Sequence, residues 1–71
     1  MLEQIRSFLK STPFGSFEIH CSSGEVYRVD HPENAAIVGN FAVVALPGGE
    51  NAIMISALHI TGVSGIQNVQ A

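Results

Sequence analysis

The sequence has few of the residues that small domains use as covalent anchors. It holds one cysteine, Cys21, and no tryptophan among 71 residues. A single cysteine excludes a disulfide within the chain and is typical of proteins in a reducing cytoplasm. A domain of this size buries a modest share of its surface, so it usually needs further support. We therefore expect a cytoplasmic protein that is stabilised by a partner rather than by disulfides.

Positive charge is also scarce. Three Lys and Arg stand against six Asp and Glu, and the three are Arg6, Lys10 and Arg28. Nucleic-acid binding depends mainly on neutralising phosphates with such side chains, so we expect no nucleic-acid partner. One alternative stays open, an Sm-like RNA-binding ring in which symmetry would gather copies of Arg6, Lys10 or Arg28 into one positive face.

Long apolar runs are missing as well. No stretch of about 18 apolar residues occurs, and this excludes a membrane-spanning helix. The first ten residues include Glu3, Arg6 and Lys10, and they lack the apolar centre of a signal peptide. We expect neither a membrane span nor a leader.

The charge that is present lies in one half of the chain. Of the nine charged side chains, eight fall in residues 1–33, and residues 34–71 contain only Glu50. A soluble monomer usually spreads both signs of charge over its surface, and large exposed apolar areas mark contact sites. We therefore predict a non-catalytic interaction or assembly module that forms a homo-oligomer, with a protein partner as a further possibility.

Periodicity predicts a single domain over residues 1–71 with a helix at 2–10 followed by short strands. Apolar residues repeat along one helical face, and Pro13 follows the helix. Strands are predicted at 16–21, 25–31, 41–46, 52–58 and 59–63, a turn or helical turn at 35–37, and a frayed tail at 64–71. The predicted fold is mainly β: an N-terminal helix and a four- to five-stranded antiparallel small barrel or strongly bent sheet.

The first two strands predict a hairpin with a defined register. A three-residue loop, Ser22 to Gly24, places Ile19 opposite Tyr27 and Glu18 opposite Arg28. This register keeps apolar residues on one face and forms an opposite-charge pair on the other. It also places Gly24 where such loops need a left-handed residue.

The strands at 41–46 and 52–58 are apolar on both faces, which indicates burial on both. In so small a domain one face is the core, so we expect the other to contact a second subunit. The predicted contact residues are Val44, Leu46, Met54 and Leu58.

Groups capable of chemistry are few and poorly spaced. His20 and Cys21 are neighbours on a predicted strand and point to opposite faces, and His31 and His59 lie far along the chain. We therefore predict no metal site, no catalytic residues, no cofactor and no enzyme activity. A second alternative is a small-ligand-binding protein whose pocket, at the subunit interface, is lined by Tyr27 and His31.

Several short motifs resemble those of a family of small uncharacterised bacterial proteins. The family shares a Pro-Phe…Phe-x-Ile segment, a Gly-x-x-Tyr-x-Val hairpin and a His-Pro-Glu turn. The matching residues here are Pro13, Phe14, Phe17, Ile19, Gly24, Tyr27, Val29, His31, Pro32 and Glu33. The resemblance implies no activity. In architecture alone, a helix followed by about five short strands resembles the Sm-like and SH3-like small barrels, but the chain lacks a clear RNA-contact motif with basic neighbours.

Overall fold

The computed structural model of the chain describes residues 2–66. In chain order the elements are α1 (Leu2–Lys10), β1 (Phe17–Cys21), β2 (Val26–Val29), a 3₁₀ turn (Pro32–Asn34), β3 (Ala35–Val38), β4 (Phe41–Ala45), β5 (Ala52–Ser56), a second 3₁₀ turn (Ala57–His59) and β6 (Ile60–Gly65). Within this part of the chain, no helix has the length and apolar character needed to cross a membrane.

The six strands form two antiparallel sheets of three strands each. The first sheet has the order β2-β1-β6 and the second has the order β3-β4-β5. The prediction of a mainly-β chain with one N-terminal helix is therefore confirmed. No strand pairing joins the two sheets within residues 2–66, so they do not close into a barrel.

The predicted hairpin register is confirmed. Ile19 pairs with Tyr27 and Glu18 pairs with Arg28. The loop is closed by Cys21, whose N–H donates to the Glu25 carbonyl at 2.9 Å. Gly24 has φ +95°, a left-handed conformation that a side chain would strain.

The segment at 35–37 was predicted as a turn or a helical turn, and this prediction is wrong. Residues Ala35–Val38 form strand β3, which pairs along its whole length with β4, from Ala35 opposite Val44 to Val38 opposite Phe41. A 3₁₀ turn with Pro32 at its start stands directly before this strand. Pairing with β4, rather than local propensity, makes this segment extended.

Other boundaries differ by a few residues. Strand β5 ends at Ser56, so Leu58 lies in the following 3₁₀ turn instead of a strand. Strand β6 continues to Gly65, two residues into the predicted frayed tail. Ile66 follows, and its N–H donates to the Ser16 carbonyl at 2.9 Å; residues 67–71 of the predicted tail lie outside the described residues.

The core lies between the sheets and under the helix. It consists of eight buried apolar residues: Ile5, Phe17, Ile19, Val29, Ala42, Val44, Ile55 and Ile60. At the helix end of the core, the Phe8 ring stacks on Phe17 with centroids 4.9 Å apart. Strand β6 passes close beneath the helix at Gly65, where a Cβ atom would lie 3.2 Å from the Phe8 ring.

Candidate interaction surface

The outer face of the second sheet is almost entirely apolar. Strand alternation turns Ala42, Val44 and Ile55 into the core and the intervening residues outward. The strand register brings the outward residues together as one surface, which we call the apolar face: Ala36, Val38, Phe41, Val43, Ala45, Ala52, Met54 and Ser56. Ser56 is its only polar member, and none is charged.

Much of this face is open to solvent. Met54 is 60% exposed and Val38 is 57% exposed, and they lie on opposite edges of the sheet. Phe41 on the central strand is 40% exposed. The 3₁₀ turn after β5 adds Leu58, which is 91% exposed and whose N–H donates to the Ser56 hydroxyl at 3.3 Å. A cluster of this kind is typical of contact surfaces rather than of isolated surface side chains.

The outer face of the first sheet is different, because it carries charge. Glu18 and His20 lie there with 3.8 Å between the carboxylate Oε1 and the imidazole Nε2. On β2, the Arg28 Nε donates to the Asp30 carboxylate at 2.7 Å. Hydrogen bonds from Arg28 and Ser16 hold the pKa of Asp30 below its ordinary value, so this ion pair persists at neutral pH. This face is an ordinary solvated surface.

Strand β5 also presents a free backbone edge. The Leu46 N–H donates to the Asn51 carbonyl at 2.8 Å, so these two residues form a hydrogen-bonded pair of the β4–β5 ladder. Hydrogen-bonded and non-bonded pairs alternate along an antiparallel ladder, so Ile53 and Ile55 bond to β4. The N–H and C=O groups of Ala52, Met54 and Ser56 therefore point away from β4, where no described strand pairs with them.

The four residues predicted for the subunit contact separate into three groups. Met54 and Leu58 lie on the exposed surface, as the contact requires. Leu46 is half-buried and lines a groove between β2 and the β4–β5 hairpin. Val44 is only 1% exposed and packs in the core of its own chain, so its side chain is not available to a second subunit. Its neighbour Val43 points outward in its place.

The residues predicted for a ligand pocket do not meet. Tyr27 lines a cleft of about 190 Å³ at the end of the core away from the helix, together with Cys21, Ile53 and His59. The Tyr27 hydroxyl donates to Glu25 Oε1 at 3.1 Å. His31 is exposed and lines none of the clefts described within residues 2–66. The cleft that contains Tyr27 is therefore lined by His59 and not by His31.

The thiol in this cleft is a weak nucleophile. Partial burial, and secondarily the Glu25 carboxylate, raise the pKa of the Cys21 thiol, which keeps it protonated at neutral pH. Among residues 2–66, no group of three or more His, Cys, Asp or Glu is arranged to hold a metal ion.

The three basic residues do not converge on one positive face. Arg6 and Lys10 lie on α1 beside Glu3 around a shallow depression. Arg28 lies on β2, and its charge is matched by Asp30.

Sequence patterns alone did not identify Val38 and Phe41 as members of the apolar face. Val38 belongs to the strand that was predicted as a turn. Phe41 lies in a strand in which apolar and polar residues do not alternate, so the sequence does not show whether its side chain faces the core or the solvent. The signal that pointed to this surface was the absence of charge after residue 33.

No protein-family model, no curated protein and no solved structure matches this chain. What the fold defines is a small mainly-β domain of two three-stranded sheets with one N-terminal helix.

Proposed function

We propose that the chain is a non-catalytic assembly module that forms a homo-oligomer through the second sheet. The observation that carries the proposal is the contrast between the two outer faces. One face holds Glu18, His20 and Arg28, whereas the other holds eight residues without a charge. A protein with a net charge of −3 repels its copies wherever charges meet. Electrostatic repulsion therefore opposes association least at the apolar face.

The size of the face indicates that more than side-chain contact is involved. Three strands spaced about 4.8 Å apart, each about five residues long, outline roughly 240 Å² per copy. A stable interface buries about 800 Å² per partner. We therefore include the free edge of β5 and the side chain of Leu58 in the contact. Backbone hydrogen bonds between strand edges of two copies would supply the orientation that apolar packing lacks.

We further infer that the architecture is an open relative of the SH3-like small barrels. The support is that the first and last strands, β1 and β6, are neighbours, and that a 3₁₀ turn lies between β5 and β6. This likeness concerns architecture and carries no activity. The single thiol of Cys21 fits a reducing cytoplasm as the place of action.

The molar mass of the native chain tests the assembly. We expect light scattering coupled to size exclusion to give at least twice the chain mass of 7.5 kDa at micromolar concentration. The mass should fall on dilution and should not fall when salt is added, because the contact has no charges to screen. A mass of one chain at every concentration would contradict the proposal.

A further inference from the structure

The outer edge of β2 is a second unpaired strand edge, and unlike that of β5 it lies inside a groove. Within residues 2–66, β1 is the only strand that pairs with β2. Cys21 and Glu25 form a hydrogen-bonded pair of the β1–β2 ladder. Hydrogen-bonded pairs alternate with non-bonded pairs in an antiparallel ladder, so Tyr27 and Val29 also bond to β1. The N–H and C=O groups of Val26 and Arg28 therefore point away from the sheet, toward the groove.

The opposite wall of this groove is apolar. The groove has a volume of about 340 Å³ and is lined on one side by β2 residues and on the other by Val44, Ala45, Leu46 and Pro47. It continues beyond Asp30 into a space of about 270 Å³ that ends at Gly48 and Gly49. In the other direction Tyr27 joins it to the cleft beside Cys21. The three spaces share lining residues along β2, and together we call them the β2 groove.

The shape and chemistry of this channel fit an extended peptide. One wall offers free backbone donors and acceptors at alternate residues, and the other offers apolar contact for side chains that recur every second residue. This combination is the basis of recognition by strand addition, in which the backbone supplies affinity and pockets supply selectivity.

The charges along the channel select the kind of side chain it accepts. Arg28 and Asp30 neutralise each other through a 2.7 Å bond. The remaining charge is the carboxylate of Glu25 beside the Tyr27 ring, where a cation can meet both a negative oxygen and an aromatic face. With a net charge of −3 the whole chain also attracts basic segments.

We propose that the β2 groove binds an extended segment of a partner protein as an added strand on β2. The segment alternates apolar and polar residues and places a Lys or Arg side chain against Glu25 and Tyr27. This site is centred on the edge of the first sheet, whereas the assembly contact is centred on the second sheet, and the two share Ala45 and Met54 at their border.

Nuclear magnetic resonance on the isotopically labelled full chain tests the site. The probe is an N-acetylated, C-amidated peptide of sequence Thr-Lys-Val-Thr-Val-Lys-Thr at millimolar concentration. The matched control peptide carries Glu in place of both Lys. We expect amide shifts at Val26, Arg28 and Leu46 with the Lys peptide, and slower hydrogen exchange at the Val26 and Arg28 amides. The Glu peptide should bind about fivefold more weakly, which is the upper end of the effect of one exposed charge contact.

Three variants of the chain complete the experiment. Val26→Pro removes an outward N–H from an edge strand, which tolerates proline there, and should weaken binding about tenfold, the effect of one hydrogen bond. Val26→Thr keeps that N–H and should bind as the native chain does. Glu25→Gln should reduce the preference for the Lys peptide over the Glu peptide, leaving only the part that comes from the net charge of the chain.

Several outcomes would overturn the proposal. These are shifts confined to β5 or β6, equal binding of both peptides by the native chain, or no shift with either peptide. Protection of the Val26 and Arg28 amides without peptide would also overturn it, because that result assigns the groove to a second copy. A Val26→Pro chain that fails to fold leaves Glu25→Gln as the deciding variant.

Discussion

The variant Met54→Asp is expected to be a monomer at concentrations where the native chain associates. Met54 lies on the β5 edge of the apolar face, beside Val43 and in line with Ala36, and is 60% exposed. A carboxylate there would lose its water on association and find no positive partner on an uncharged surface. We expect the dissociation constant of the oligomer to rise at least about 100-fold, or about 3 kcal/mol. Light scattering or sedimentation equilibrium measures the change.

The matched control for this variant is Val26→Asp. Val26 is also an exposed aliphatic strand residue, 47% accessible, but it belongs to the charged face of the first sheet. The same carboxylate at this position should leave the oligomer intact. Both variants should unfold close to the native chain when compared as monomers, since surface changes of this kind cost within about 0.5 kcal/mol. An oligomeric Met54→Asp chain, or a monomeric Val26→Asp chain, would contradict the assignment of the contact.

The substitution Phe17→Ala is expected to have the largest effect on folding. Phe17 is fully buried, and its ring stacks on Phe8 and meets Phe14 edge-on at 6.1 Å. Removing a buried phenyl ring costs about 3–5 kcal/mol. A chain of this length has a free energy of unfolding of roughly 4–10 kcal/mol. We expect the variant to lose most of its stability, as measured by urea unfolding followed by circular dichroism.

The comparison variant is Phe41→Ala. Phe41 is the same residue type in a strand, but it is 40% exposed on the apolar face instead of buried. Its loss should lower the free energy of unfolding by about 1 kcal/mol or less in the monomer and should weaken association. Both variants should be compared at low concentration, where association contributes least to stability. Equal losses for the two phenylalanines would show that the core is not where the structure places it.

The helix and the first hairpin were predictable from sequence because the spacing of their apolar residues matches the structure that they form. Leu2, Ile5 and Phe8 fall on one helical face, and the hairpin has one register that separates apolar from charged residues. Strand β3 was not predictable in this way. Its alanines have weak strand propensity, and they follow Pro32 closely. Its extended form arises from pairing with β4, a contact that no local pattern reports.

The uncharged surface was predictable in location but only partly in detail. The lack of charge after residue 33 pointed to the second half of the chain. The run from Phe41 to Leu46 is apolar at every position, so it contains no alternation from which to read which side faces the core. Val44, which was predicted for the contact, therefore lies in the core, and Val43 faces outward because adjacent residues of a strand point to opposite faces. The β2 groove was not predictable at all, because it is formed by segments about 20 residues apart.

Isotope-filtered nuclear Overhauser spectroscopy on a mixture of labelled and unlabelled chains tests the central claim most directly. It reports contacts between protons of different copies only. If copies associate through the apolar face, cross-peaks should join the methyl groups of Met54, Val38 and Leu58 of one copy to the apolar face of another. Cross-peaks from Glu18 or Arg28 on the first sheet, or none between copies at concentrations up to the solubility limit, would contradict it.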